Sequence, residues 1–98
     1  MIKHIVLFRI KGNGEKKKEN TSLFKDKLDE LKNKIPEIKH IETGINISES
    51  LSSFDLILTT HFINSQDLDT YRNHPDHQKV VKLIEEVASE VAVVDYTI

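Results

Sequence analysis

Residues 71–77 read Tyr71-Arg72-Asn73-His74-Pro75-Asp76-His77, a phenol and two imidazoles gathered around one proline. Proline is favoured at the first position of a helix, where its missing N–H would have had no partner, so Pro75 predicts a helix running through Val87 or Ala88. Val80, Val81, Ile84, Val87 and Ala88 recur behind it at helical spacing, and one turn back from Val80 or Val81 lies His77. An imidazole therefore points inward above an apolar stripe. Upstream, Asn64 followed by Asp67 has the form of a helix cap, which opens a short helix ending near Tyr71 and Arg72. The stretch is thus the joint of a helical crossover, and the segments flanking that crossover decide the fold.

Before it, residues 54–62 form a strand in which Phe54, Leu56, Leu58, Thr60 and Phe62 share one face while Asp55, Ile57, Thr59 and His61 share the other. After it, Val91 to Ile98 closes the chain as a strand with Val93, Val94 and Tyr96. Further out, Ile38 to Ser48 is a strand with Gly44 as a bulge or close backbone approach, and Glu49 to Ser53 is a polar turn. From about Lys16 to Lys34, Phe24, Leu28, Leu31 and Ile35 recur at intervals of four, three and four, the mark of an amphipathic helix that Pro36 ends. Ile2 to Ile10 opens the chain as a strand apolar on both faces: Ile2, Val6, Phe8 and Ile10 lie with His4, whereas Ile5 and Leu7 lie with Lys3 and Arg9.

The order β-α-β-β-α-β, without internal repeat, predicts an α+β ferredoxin-like subunit over residues 1–98: a four-stranded antiparallel sheet with its helices on one face. The other face is then bare and carries Ile5, Leu7 and Ile57, an apolar patch that two copies would bury by pairing sheet to sheet. A chain of 98 residues builds only a thin core, so such a homodimer would also help stability.

Composition narrows the function classes. A net charge of −2 gives no broad basic surface for phosphates, which argues against a nucleic-acid partner; Lys16-Lys17-Lys18 reads as a solvated helix start. There is no cysteine, hence no disulfide, thiolate metal site or thiol nucleophile. The opening residues hold no continuous apolar run for a signal peptide or a membrane span, and the expectation is a soluble cytoplasmic protein with no membrane association.

Several pieces in fixed order are similar to the stress-responsive A/B barrel domain (Dabb) family of dimeric α+β barrels. They are Ile2-Lys3-His4-Ile5-Val6-Leu7-Phe8, Ile35-Pro36-Glu37-Ile38 with Gly44, Phe62, the Tyr71–His77 run, and Val94-Asp95-Tyr96, which together cover nearly the whole chain. The resemblance implies a homodimer whose two sheets form a barrel, with a pocket in each subunit between sheet and helices. One branch, the plant polyketide cyclases of the olivetolic acid cyclase type, closes rings by aldol chemistry without a cofactor. Its catalytic tyrosine and histidine match Tyr71 and His77, and its strand-one pocket histidine matches His4; its third-strand histidine is replaced by Leu56.

Independently of the family, a histidine in the first turn of a helix feels the positive end of the dipole, which favours the neutral ring. Neutral His77 can take a proton from carbon beside a carbonyl while the Tyr71 hydroxyl hydrogen-bonds the developing enolate oxygen. His4 would orient substrate or hold His77 in its tautomer, and Val6, Phe8, Phe24, Leu28 and Leu58, with His74, are the candidate substrate-binding residues. The competing reading is structural: a buried tyrosine hydrogen-bonded to a histidine, with His74 as a local helix cap and His40 and His61 as exposed or interface residues. No metal is expected at His74, His77 and His4, because no acid completes the ligand set and His74 belongs to the cap. The short helices also make a haem pocket a poor fit, so no cofactor is expected.

Overall fold

A computed structural model describes residues 1–98. Strand β1 (Ile2–Ile10) leads through a Gly12–Gly14 turn, both glycines at positive φ, into helix α1 (Gly14–Asp29) and a 3₁₀ turn over Glu30–Asn33. Strands β2 (His40–Ile45) and β3 (Leu56–Phe62) follow, then helices α2 (Ser65–Asn73) and α3 (Pro75–Val87), and finally strand β4 (Ala88–Thr97). The sheet is antiparallel throughout in the order β2-β3-β1-β4, the ferredoxin-like arrangement expected from the sequence.

Cross-strand partners share a face, so the register sorts the side chains. His4, Val6, Phe8 and Ile10 of β1 lie with Leu56, Leu58, Thr60 and Phe62 of β3 under the helices, all buried. Phe24 and Leu28 of α1, Leu31, Leu68 and Tyr71 of α2, and Val80 of α3 close over them. Ile5, Leu7 and Ile57 lie on the opposite face, which none of the chain's own helices covers; Ile57 is 37% exposed.

Several boundaries differ from expectation for local reasons. The α-helical part of α1 stops at Asp29, and Leu31 and Ile35 enter the core from the 3₁₀ turn and the segment beyond it. Strand β2 spans only His40–Ile45, since its edge position leaves just one neighbour to pair with; Ile38 reaches the core from outside it. Phe54 does not continue the buried face of β3. Its ring lies 4.2 Å from the Arg9 guanidinium, and Arg9 belongs to the bare face. Gly44 marks a close approach rather than a bulge: its register is unbroken, and a Cβ there would meet Ile57 Cγ2 at 3.3 Å. The irregularity of the sheet lies instead between Arg9 and Ile10 against β4. Strand β4 begins at Ala88, directly after α3, instead of at Val91.

Candidate active site

His74 is the last half-step of α2 and the cap of α3. Its extended backbone separates the two helices, and its Nδ1 accepts the Asp76 N–H at 3.1 Å. That sharp joint turns Tyr71 and His77 towards one another, with ring centroids 4.3 Å apart. Tyr71 is fully buried, 4.9 Å from the Phe62 ring and 6.0 Å from His4. Its hydroxyl has no hydrogen-bond partner, and burial pushes its pKa upward, so the phenol stays protonated.

The two imidazoles are held through Arg72. The Arg72 carbonyl oxygen receives His77 Nδ1 at 3.1 Å and the Gln78 side-chain amide at 2.6 Å. A carbonyl only accepts, so His77 carries its proton on Nδ1 and leaves Nε2 as the basic nitrogen. The Arg72 guanidinium donates to Asp95 Oδ2 at 2.6 Å, while Asp95 Oδ1 pairs with His4 Nδ1. Beside a carboxylate the Nδ1 of His4 is also a proton-bearing nitrogen. Burial lowers the His77 pKa below its ordinary value; the Arg72 carbonyl works the other way, and His4, Arg72 and His74 add to the lowering. The neutral ring expected from the helix dipole is therefore favoured first by burial.

These groups border a cavity of about 280 Å³ between α3 and the β1–β4 side of the sheet. His4, Tyr71, Arg72 and His77 supply its polar part; Val6, Phe8, Leu28 and Leu58 are among its apolar walls. The structure thus brings together His4, Tyr71, His77 and most of the expected wall residues. Phe24 is not among them: it packs edge-on against Phe8 at 5.0 Å as core. His74 is also absent from the lining, its ring being engaged as the cap. Leu56 is buried in the core outside the lining, and the β3 residue that borders the cavity is Leu58, so the departure at position 56 lies away from the cavity.

Sequence reasoning missed Arg72 and Asp95 as site residues. Asp95 shares its parity with Val91 and Val93, so an acid on the cavity side of β4 was a readable signal. Its pairing with His4 joins residues 91 apart in sequence and could not be read from spacing.

The stress-responsive A/B barrel domain model matches residues 2–98. The chain belongs to the Dabb family. Among curated Dabb proteins, the stress-response A/B barrel domain-containing protein DABB1 of Arabidopsis thaliana is 27% identical over 99 residues, covering 98% of this chain and 46% of that protein. The chain therefore spans under half of that relative's length. A dimeric ferredoxin-like protein of unknown function from Bacteroides fragilis superimposes with a TM-score of 0.87 at 32% identity, covering 99% of this chain and 95% of that one. Hydroxynitrile lyase from Passiflora edulis has a TM-score of 0.85 at 19% identity over 99% and 92% of the two chains, a likeness of fold. No helix of this Dabb domain is long and apolar enough to cross a membrane.

Proposed function

We propose that this Dabb domain is a homodimer whose pocket carries out cofactor-free proton transfer, of the isomerisation or aldol-cyclisation kind, on a small apolar carbonyl compound. The observation that carries the reading is the Tyr71 hydroxyl, buried and unpartnered beside two oriented imidazoles on a largely apolar cavity. An unsatisfied buried hydroxyl costs stability unless something occupies its hydrogen-bonding position, and a carbonyl oxygen is the matching acceptor. In this mechanism His77 Nε2 removes the proton next to the carbonyl, and the Tyr71 O–H stabilises the enolate oxygen. His4, fixed by Asp95, orients the substrate. Dimeric neighbours such as the Bacteroides protein support a dimer, and it would form through the bare face carrying Ile5, Leu7 and Ile57.

The test is α-proton exchange. With phenylacetone and related ketones in D2O, wild-type protein should speed deuterium incorporation over buffer, His77→Gln should abolish the gain, and Tyr71→Phe should reduce it by about 10²-fold. Wild-type protein that exchanges no ketone in the panel would shift the reading to its rival, a dimeric Dabb domain that is structural or binds a ligand without turnover. One observation favours that rival: a cavity of about 280 Å³ lies at the small end for ligand sites, which run from roughly 300 Å³ upward.

A further inference from the structure

On the bare face, away from the cavity, the register sets four residues in one row across all four strands: His40 of β2, His61 of β3, Lys3 of β1 and Tyr96 of β4. The row divides in the middle. Lys3 Nζ lies 5.8 Å from the Tyr96 ring centroid, on the β4 side, while the His40 and His61 rings stand with centroids 4.6 Å apart on the β2 side. Two imidazoles bound to one metal through nitrogens at about 2.0–2.1 Å, with an N–metal–N angle of about 90–109°, place their centroids roughly 4.5–5.2 Å apart. The observed separation falls within that range.

We propose that His40 and His61 form a two-histidine site for a divalent transition-metal ion, with Cu²⁺ bound most tightly. Imidazole nitrogen suits copper, nickel and zinc, and at a given site of this kind affinity peaks at copper. No group of three or more histidine or acidic side chains forms a metal centre in the chain, so each chain supplies these two ligands; His40 stands exposed on the edge strand β2, at the margin of the face that carries Ile5, Leu7 and Ile57, where water completes the sphere. The surroundings are mixed. Glu42 shares the face two residues along from His40 and adds negative charge, whereas Lys3 and the N-terminal amine oppose a cation. Cross-strand pairing already holds the two rings close, so little ordering is lost on chelation.

The experiment is a titration of the full chain with CuSO4, and separately with ZnCl2, by calorimetry, alongside electron paramagnetic resonance of the copper form. One Cu²⁺ per chain with a two-nitrogen signature is expected, and His40→Ala or His61→Ala, each at an exposed or partly exposed position, should weaken it at least about tenfold. His77→Gln should leave it unchanged. Wild-type protein that binds no copper, or binding that survives in the His40→Ala/His61→Ala double variant with circular dichroism unchanged, overturns the proposal; so does loss on His77→Gln, which would place the metal in the cavity.

Discussion

Tyr71 separates a functional from a structural role more sharply than any other residue, because its hydroxyl lacks a partner in the folded chain. Were it a structural hydrogen bond, Tyr71→Phe would cost about 1–3 kcal/mol; with no bond to lose, the variant should equal or exceed wild type in stability, by up to about 1 kcal/mol. Urea unfolding of the two proteins checks this, and a clear loss of stability would reveal a partner for the hydroxyl. His77 makes a second prediction. Its folded pKa lies below the ordinary 6.5, so the unfolded chain binds more protons between those two values. Its contribution to stability is whole above 6.5 and is lost as pH falls through the depressed folded value. The urea midpoint of wild type should therefore drop from about pH 7.5 to about pH 5 by more than that of His77→Gln, with the remaining fall shared by His61, which is shifted in the same direction.

Among the elements, the joint of α2 and α3 is set by one side chain. His74→Ala removes the bond to the Asp76 N–H and should cost about 1 kcal/mol, as loss of a helix cap typically does, while His74→Asn should restore most of it. Thermal melts of the two variants measure the difference; equal melts would mean that the cap bond contributes nothing. This joint was legible because proline and the residue before it have strong backbone preferences of their own. The strand faces were legible too, through the alternation from Ile2 to Ile10 and from Leu56 to Phe62. Phe54 was misread because alternation alone does not say where a strand begins, and a cation on the far face attracted its ring. The site was half legible: Tyr71 and His77 are close in sequence, but Asp95 meets His4 only through strand pairing, and Arg72 looks like any surface arginine until its carbonyl and guanidinium are seen to serve different imidazoles.

At the scale of the whole molecule, the uncovered sheet face makes the subunit incomplete. Val94 and Tyr96 of β4 extend the patch of Ile5, Leu7 and Ile57, and they are 60% and 42% exposed. If that face is the interface, Ile57→Glu puts a charge into a desolvated contact and should turn the dimer into a monomer at micromolar concentration, as read by light scattering. A dimer that persists would place the interface elsewhere. The direct passage from α3 into β4 bears on how the pocket can open. Val87 ends the helix, Ala88 begins the strand, and the Val87 carbonyl accepts the Lys11 N–H at 2.8 Å. Two of the cavity's walls are thus joined without a linker and anchored to the end of β1, which leaves no hinge at that corner. At the other end of α3, His74 is the only residue between α2 and α3, so any tilt of that helix would turn about the residue that sets Tyr71 against His77.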